Sequence, residues 1–524
     1  MGQSPFSDDD LRQIEAHGLT IQEVRRQLAL FKSDTPYLTL VAPCTPENGI
    51  AVFEKEETER LLKVFESEKP NYRWVKFVPA SGAASRMFKT LLKVLNEEEN
   101  ISKDAVSKEA STGDKQAEQL LQFMEGVEQF AFFGDLETIL IKNGFNPEAL
   151  IVNGQFTEIV RFLLEPEGLN YAHEPKALLK FHKYPSETRT AFEEHLVEAA
   201  SYIKDQMGNC ALHFTVSQEH LAGFKTLLEQ VRPEYERRFG VHYQTAFSTQ
   251  SASTDTLAVT LGNRPFRRED GRLLFRPGGH GALLHNLNRV DEDMSFIKNI
   301  DNVVPDHLKA ETFKWKQVIG GYLLQLQAEI FGYVESLVSG KETPLFLDEV
   351  CAYVEERLGY PIPAAVRAAS SSVKRSYLTE RLNRPIRVCG MVKNAGEPGG
   401  GPVWVRDRDG GVSRQIVEMA QIDPDAELQQ EIVRGATHFN PVDLVCGVKD
   451  WQGRPFDLSR FTDPDAVFIS PKSKNGQDLK ALEHPGLWNG AMARWITLFV
   501  EVPSVTFNPV KTVNDLLRKE HQPD

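Results

Sequence analysis

The sequence has few cysteines, no excess of basic residues and no long apolar run, and each absence excludes a class of protein. Its five cysteines are scattered and form no Cys-x-x-Cys motif, which argues against a disulfide framework and a structural zinc site. The formal net charge is −14, so no nucleic-acid partner is expected. No stretch of about 18 or more apolar residues occurs, and acidic Asp8 to Asp10 stand where a signal peptide would be basic and apolar. We therefore expect a cytoplasmic protein without a membrane segment.

Two glycine-rich cofactor motifs are missing as well. The chain contains no Gly-x-x-x-x-Gly-Lys-Ser/Thr sequence, so a P-loop kinase is not favoured. It also has no Gly-x-Gly-x-x-Gly after a predicted strand, so a dinucleotide-dependent oxidoreductase has little support.

What is present has the pattern of an α/β protein. Residues 1-70 are predicted as a helical segment, since Ser7 and Thr20 each begin a capping-box pattern. Polar and apolar residues alternate at 73–78, which predicts a strand. A loop of small residues and then apolar residues at helical spacing from Met87 follow, which predicts a loop and a helix. Similar strands are predicted at 211–216, 241–247 and 294–300. Residues 71-524 are thus predicted as one Rossmann-like domain with a mostly parallel sheet and a helical insertion at about 97-170.

Two short segments could contact phosphate. The loop at 79–86 is rich in Ala, Ser and Gly, so its backbone N–H groups can approach an anion closely, and Arg86 adds a cation. Lys176 follows Pro175, where a proline-fixed turn would hold its ammonium group in place. The structural alternatives are a packing turn and a surface lysine before a helix.

Two further positions suit a nucleotide and a metal ion. His280 stands between glycines, where the backbone can approach a flat base. Asp301 follows an apolar predicted strand, and its hard carboxylate oxygens suit Mg²⁺. An ordinary turn histidine and a capping aspartate remain the alternatives.

Together these motifs resemble those of sugar-activating nucleotidyltransferases, which carry Leu-Ala-Gly-Gly-x-Gly-Thr-Arg followed by Pro-Lys-Ala-Leu-Leu. Here the loop at 79–86 is followed by Pro-Lys-Ala-Leu-Leu at 175–179. Further pieces in the same order narrow the resemblance to the UDP-glucose pyrophosphorylase-like branch: Pro-Gly-Gly-His-Gly at 277–281, Asn-Ile-Asp-Asn at 299–302, Glu-Met-Ala-Gln at 418–421, Phe-Asn at 439–440, Pro-Lys at 471–472 and Pro-Val-Lys-Thr at 509–512. Eight pieces in one order are hard to obtain by chance.

The resemblance implies a GT-A-type nucleotide-sugar fold, Mg²⁺ as cofactor, and a reaction of UTP with a sugar 1-phosphate that gives UDP-sugar and pyrophosphate. It implies catalytic contacts to phosphate by Arg86, Lys176 and Lys511. It implies nucleotide contacts by Ala80, Ser81, Gly82, Ala83, Gln250, Gly279 and His280. It implies sugar contacts by Asn302, Glu418, Asn440 and Lys472, and a metal-binding role for Asp301.

The sequence also departs from that pattern. Ser81 and Ala84 stand where the family usually has glycine, and about 90 residues separate Arg86 from Lys176. No C-terminal β-helix is expected beyond Lys511, and a separate bacterial branch of the superfamily is expected. Two alternatives stay open: a nucleotide-sugar-binding protein without activity, and a glycosyltransferase on the same fold. The sugar and the oligomeric state are left open.

Overall fold

The computed structural model describes residues 5–33, 37–97, 101–340, 343–396, 400–407, 410–474 and 476–524. The α-helices of this part, α1 to α17 in chain order, are Asp8–Ala16, Ile21–Lys32, Lys55–Glu68, Lys89–Glu97, Lys103–Ala110, Lys115–Gly126, Phe133–Lys142, Pro147–Val152, Thr157–Leu164, Ala191–Tyr202, Leu221–Phe239, Leu284–Leu287, Lys309–Ser339, Pro344–Ala352, Ala364–Arg367, Ser371–Leu382 and Glu427–Arg434. The strands, β1 to β19, are Leu40–Pro43, Ile50–Ala51, Trp74–Pro79, Lys180–Lys183, Thr188–Thr190, Asn209–Val216, His242–Thr249, Thr256–Leu257, Val259–Thr260, Phe275–Arg276, Met294–Lys298, Ile386–Lys393, Gly401–Arg406, Val412–Val417, His438–Phe439, Asp443–Gly447, Phe468–Lys474, Gln477–Glu483 and Ile496–Glu501.

The chain forms two compact units, each built from separated segments. Unit 1 comprises Met1–Val75, Ser248–Ile297 and Lys316–Ser504. Unit 2 comprises Lys76–Phe247, Lys298–Trp315 and Val505–Asp524. The sequence-based division at residue 70 stays a prediction.

Unit 2 contains the neighbouring strands β3, β6 and β7, with α10 and α11 packed together. Polar and apolar residues alternate at 73–78, which is typical of a strand with one exposed face. In the structure, β3 is buried on both faces as far as Val78, and Lys76 is buried with it. The region predicted as a helical insertion holds α5 to α9, and its apolar rings stack around Phe130 and Phe132. Unit 2 is therefore a sheet region accompanied by a helical region.

A buried charge cluster braces β3 in unit 2. Glu198 on α10 accepts from Lys76 at 2.7 Å and from Lys298 at 2.8 Å. Burial alone raises the pKa of Glu198, but the two ammonium groups outweigh it and hold that pKa well below its ordinary value. Burial lowers the pKa of Lys76 to about 8, against the attraction of Glu198. The same helix provides His195, whose Nε2 lies 3.1 Å from the Ile300 carbonyl, next to Asp301.

Unit 1 contains a mixed sheet with the strand order β2, β19, β12, β16, β11. Strands β2, β19 and β12 run parallel, whereas β16 and β15 pair with β12 in the antiparallel sense. The protein is therefore a mixed α/β fold whose sheet contains parallel strands.

Smaller antiparallel sheets complete unit 1. One joins β1, β13 and β14, and another joins β17, β18 and β9. Helices α1 and α2 bury Ile14, Val24 and Leu28 in an apolar cluster with Leu257 and Leu482. The segment 1-70 thus holds strands β1 and β2 besides its helices. Within the described residues, no helix combines the length and apolarity needed to span a bilayer.

Candidate functional site

Two sequence motifs of unit 2 are joined by backbone hydrogen bonds. The phosphate loop, which we define as residues 79–86, follows β3, and the Lys176 amide donates to the Gly82 carbonyl at 3.2 Å. Ala83 forms an isolated β-bridge with Pro175, and the Ala84 amide donates to Glu174 at 3.1 Å. The structure therefore brings the small-residue loop and the Pro-Lys motif together, although about 90 residues separate them in sequence.

The loop itself is open to ligands. Ala80 is buried and its amide donates to the Thr215 carbonyl at 2.8 Å, whereas Ser81, Gly82 and Ala83 are exposed. A Cβ added at Gly82 would meet no atom within 4 Å. Glycine is thus not required there by contacts within this chain, and its small size leaves room for close approach of a ligand.

Lys176 and Asp301 form an ion pair at the centre of this region. The Lys176 Nζ donates to Asp301 Oδ2 at 2.8 Å and to the Val510 carbonyl at 2.7 Å. Both side chains are largely buried, with 14% and 19% of their surface exposed. An ammonium group has three N–H donors, and within the described residues the third of Lys176 has no bonded acceptor. One donor is therefore available to an anion.

Contacts between the segments that contain Asn302 and Pro509 hold the Val510 carbonyl in place. Asn302 forms an antiparallel bridge with Pro509, and the Val510 amide donates to the Asp301 carbonyl at 3.1 Å. The Asn302 side chain donates to Thr506 O and accepts from the Asn508 amide. One donor and one acceptor of its amide are thus used by the backbone. The sugar contact of Asn302 stays a prediction.

Arg86 and Lys511 lie at exposed positions. Arg86 ends a 3₁₀ helix, Ala84–Arg86, in the phosphate loop. Lys511 follows Val510, and its amide donates to Asp515 Oδ2 at 2.8 Å. A 3₁₀ helix, Ser504–Thr506, lies shortly before it. No ion pair involves either cation within the described residues, so both can reach a ligand.

Asp301 can contribute to a magnesium site. Its Oδ2 is paired with Lys176, while in the described part of the chain its Oδ1 has no bonded donor. No group of three or more His, Cys, Asp or Glu side chains is arranged to hold a metal among those residues. Mg²⁺ commonly binds through one or two carboxylates together with substrate phosphates and water, so a single aspartate fits the ion.

In unit 1, the histidine loop, residues 277–281, packs closely on the end of β18. Gly279 has a positive φ of 74°, and a Cβ added at Gly281 would lie 2.1 Å from the Pro485 carbonyl. Larger residues would clash or strain the backbone at both positions. The glycines therefore fix His280 against the segment that follows β18.

His280 is held between an aromatic ring and a carboxylate. Its ring stacks on Trp488 at a centroid distance of 4.4 Å, and its Nδ1 accepts from the Leu487 amide at 3.2 Å. Its Nε2 lies 3.7 Å from Glu418 Oε1. Burial lowers the pKa of His280 to about 4, which keeps the ring neutral at pH 7. A neutral ring with Nδ1 as acceptor carries its proton on Nε2, on the side of Glu418.

Glu418 lies in a polar neighbourhood with open hydrogen-bonding capacity. Burial, and then the nearby Glu483 carboxylate, raise its pKa. The Glu418 amide donates to Gln421 Oε1 at 3.0 Å, and Asn489 lies 3.5 Å from the same oxygen. Gln421 Nε2 and Asn489 Oδ1 are buried without a partner in the described residues. Such atoms can be satisfied by a polar ligand or by water.

The structure places the remaining predicted residues elsewhere in unit 1. Gln250 precedes the turn at 252–254, whose Thr254 carbonyl lies 2.8 Å from His484 Nε2, and its own Nε2 is buried without a partner in the described part of the protein. Asn440 donates to Gly390 O and accepts from the Val442 amide, so its side chain is used in a turn. Lys472 pairs with Leu479 in the β17–β18 hairpin, four residue pairs from Glu483. At about 3.3 Å a residue, that places Lys472 about 13 Å away along the strand.

A family model matches residues 7–522 of this sequence, and it is described as a domain of unknown function, DUF4301. The chain belongs to the DUF4301 family. Among curated proteins, none matches this DUF4301 chain.

Several solved structures resemble the DUF4301 chain at low identity. A point mutant of UDP-glucose pyrophosphorylase from Leishmania major, in complex with UDP-glucose, is 12% identical, with coverage of 100% of this chain and 82% of that chain and a TM-score of 0.43. The uridine diphosphate N-acetylglucosamine pyrophosphorylase from Trypanosoma brucei is 13% identical, with coverage of 98% and 79% and a TM-score of 0.48. The UDP-glucose phosphorylase from Trypanosoma brucei is 13% identical, with coverage of 98% and 80% and a TM-score of 0.41.

Three residues near the histidine loop were not predicted from the sequence: Trp488, Asn489 and Glu483. Trp488 and Asn489 stand between Gly486 and Gly490. A Cβ at Gly486 would lie 2.6 Å from His280 Cε1, so this glycine lets the segment approach the ring. A tryptophan and an asparagine flanked by glycines were the available clue in the DUF4301 sequence. Glu483 carried no clue at all.

Proposed function

We propose that this DUF4301 protein is a sugar nucleotidyltransferase that forms a UDP-sugar and pyrophosphate from UTP and a sugar 1-phosphate. The observation that carries the proposal is the Lys176–Asp301 pair, held at 2.8 Å beside an open backbone loop. The pair offers one free ammonium donor and one free carboxylate oxygen, and the loop offers N–H groups. The series of motifs in the order of the UDP-glucose pyrophosphorylase-like branch supports the same reaction, a GT-A-type arrangement and Mg²⁺ as cofactor.

In the proposed reaction, a phosphate oxygen of the sugar 1-phosphate attacks the α-phosphorus of UTP. A new P–O bond forms as the bond from the α-phosphorus to the bridging oxygen breaks, and pyrophosphate leaves with that electron pair. No protein nucleophile is needed, so catalysis depends on positioning and on stabilising the charge that develops on the phosphates. Mg²⁺, when bound, would offset phosphate charge, with Asp301 as its protein ligand.

The cations and the loop of unit 2 have distinct proposed roles. Lys176 donates its free N–H to a phosphate oxygen, and its contacts to Asp301 and Val510 keep the ammonium group oriented. The exposed backbone at 81–83, which follows the buried Ala80, would approach the phosphates, and the exposed Arg86 and Lys511 would add positive charge. Because these groups are in place before the reaction, little reorganisation is needed in the transition state.

The motif resemblance assigns the nucleoside and sugar contacts to a second group of residues. His280, stacked on Trp488, and Gly279 would contact the base, and Gln250 has a buried Nε2 available to the nucleotide. Glu418 would accept hydrogen bonds from a pair of sugar hydroxyls. Uridine as the base rests on the motif resemblance.

The test is pyrophosphate release by the purified full chain with Mg²⁺. UTP, CTP, GTP and dTTP are each combined with a panel of sugar 1-phosphates, and the reverse reaction is run with UDP-sugars and pyrophosphate. We expect release with UTP and at least one sugar 1-phosphate. Equal rates with all four nucleotides would remove the uridine assignment but leave nucleotidyl transfer standing.

Two other outcomes would overturn the proposal. Binding of a UDP-sugar without turnover in either direction would identify a binding protein. Transfer of the sugar from a UDP-sugar to an acceptor, without pyrophosphate chemistry, would identify a glycosyltransferase.

A further inference from the structure

Unit 1 contains a cavity of about 1470 Å³ that none of the proposed catalytic or binding residues lines. It lies among the C-terminal end of α13, helix α16, the end of β13 and the segments around 450–463 and 493–496. Pockets for drug-sized ligands are usually about 300–1,000 Å³. The cavity is thus large enough for a substantial polar ligand.

Arginine is the commonest charged residue of the lining. Seven arginines border the cavity, against five acidic residues. The acidic residues are largely used by local partners. Asp450 pairs with Arg454 at 2.8 Å and also accepts from the Gln452 amide, while Asp457 caps the turn at Ser459. Asp407 accepts from Ser413 and Gln415, and the Asp463 carboxylate accepts from the Asp465 amide.

Two arginines lie at the C-terminal end of helix α16. Arg381 is in the last turn of the helix, and Arg384 follows just after the helix ends at Leu382. The Arg381 guanidinium lies over the Tyr360 ring at 4.5 Å. Arg384 donates to two backbone carbonyls, of Glu380 and Arg494, and is only 15% exposed. Burial, and then the charge of Arg381, lower the pKa of Arg384.

The other cations add to this surplus of positive charge. Arg406, Arg460 and Arg494 are exposed at the cavity. Among the described residues, none of these three or Arg381 has a carboxylate within ion-pairing distance. A guanidinium nitrogen of Arg384 lies 3.8 Å from Glu380 Oε1, and the Glu380 side chain is 82% exposed. Like charges held together without counter-charges are destabilising until an anion binds.

We propose that this cavity binds a small molecule that carries two or more phosphate groups. Guanidinium groups match phosphate oxygens in a bidentate geometry, and several arginines around one cavity can bind several phosphates at once. Arg381 is preoriented by Tyr360, and Arg384 by its carbonyl contacts. Little side-chain conformational entropy is therefore lost when a ligand binds. The site is separate from the Lys176–Asp301 pair, which belongs to unit 2.

The experiment is calorimetric titration of the full chain with inorganic tripolyphosphate, without Mg²⁺. Arg460 and Arg494 are replaced together by glutamine, since both are exposed and the fold should be retained. We expect affinity to fall on the order of 10-fold for each arginine. The matched control is Arg268→Gln with Arg272→Gln, which removes the same charge from exposed positions elsewhere in unit 1. Arg384→Gln, checked by its melting curve, tests the buried member of the cluster.

Each outcome decides the proposal. Retained binding in Lys176→Ala supports it, whereas loss there assigns the anion to unit 2 and overturns it. Equal affinity of the Arg460/Arg494 variant and its control overturns it as well. Citrate that binds as tightly as tripolyphosphate shows general charge attraction and overturns the phosphate assignment. A sugar bisphosphate that binds more tightly than tripolyphosphate supports it and identifies an organic ligand; the reverse supports it and identifies an inorganic one.

Discussion

Lys176 is the single side chain on which the proposed chemistry depends most. Lys176→Ala should lower kcat by roughly 10²–10³-fold, by analogy with the removal of one preorganised donor to transition-state charge. The melting temperature should stay close to that of the parent, because the pair lies at the ends of elements. The measurement is pyrophosphate release together with a thermal melt. Lys180→Ala is the matched control, since Lys180 also pairs with an aspartate in unit 2, Asp135 at 2.5 Å. Equal losses in the two variants would contradict the assignment.

Asp301 should behave differently from its partner. Asp301→Ala removes one proposed carboxylate ligand, so the Mg²⁺ concentration needed for half-maximal rate should rise, and excess Mg²⁺ should restore part of the activity because water can replace one ligand. Lys176→Ala should show no such rescue. Rates of both variants measured over a Mg²⁺ series check this. An unchanged Mg²⁺ dependence in Asp301→Ala would remove the metal role.

His280 makes stability depend on pH. Its pKa is lowered to about 4 in the folded chain, against 6.5 as the ordinary value, so the unfolded state binds more protons between these values. The stability contributed by neutral His280 is therefore complete above about pH 6.5 and is lost as pH falls toward 4. His280→Asn keeps an acceptor for the Leu487 amide but cannot titrate. Between pH 7 and pH 5, we expect its free energy of unfolding to fall by roughly 1–2 kcal/mol less than that of the parent. Urea unfolding at both pH values measures the difference. Parallel losses would show that folding does not lower the pKa of His280.

At the scale of loops and strands, two glycines should respond in opposite ways. Gly82 faces open space, so Gly82→Ala should keep the melting temperature but weaken nucleotide binding, because a methyl group obstructs close approach to the loop. Gly281→Ala would place a Cβ at 2.1 Å from the Pro485 carbonyl and should destabilise the protein by about 1–3 kcal/mol. Thermal melts and nucleotide titrations of both variants test this. A stable Gly281→Ala together with an unstable Gly82→Ala would contradict this account of the two loops.

The local sequence pattern predicted many of the strands and helices but not which strands and side chains they contact. The strands predicted at 73–78, 211–216 and 241–247 correspond to β3, β6 and β7, and helices fill much of 97–170. Side-chain alternation did not show that Lys76 is buried, because its burial depends on Glu198, more than 100 residues away. The antiparallel strands β15 and β16 beside β12 were also not predicted, since their pairing is set by tertiary packing and not by local sequence.

The candidate site shows the same division. Motif order indicated Lys176 and Asp301, and the structure joins them directly. The same order indicated Asn302 and Asn440, whose amides are used by neighbouring backbone groups. An asparagine that binds a ligand and one that closes a turn look alike in sequence, because only the fold shows which hydrogen bonds its amide makes.

At the scale of the whole molecule, unit 2 depends on residues 505–524. Their removal would take away the Val510 carbonyl from Lys176 and both partners of the Asn302 side chain. It would also separate His521 from His182, whose rings stack at 5.3 Å. We expect this deletion to raise hydrogen exchange in residues 76–247 more than in residues 343–396 of unit 1. Mass spectrometry of the two chains measures it, and unchanged protection in 76–247 would contradict the prediction.

The segmented layout of unit 2 has a consequence for synthesis on the ribosome. Residues 76–247 emerge from the exit tunnel about 260 residues before the 505–524 segment, and nearly all of the intervening chain belongs to unit 1. At about 5–20 residues per second, that interval lasts for tens of seconds. During this time the nascent chain contains Lys176 without its Val510 carbonyl acceptor. The proposed phosphate site can therefore be completed only after the 505–524 segment has been translated, so translation products truncated before it carry the motifs but lack the Val510 carbonyl contact to Lys176.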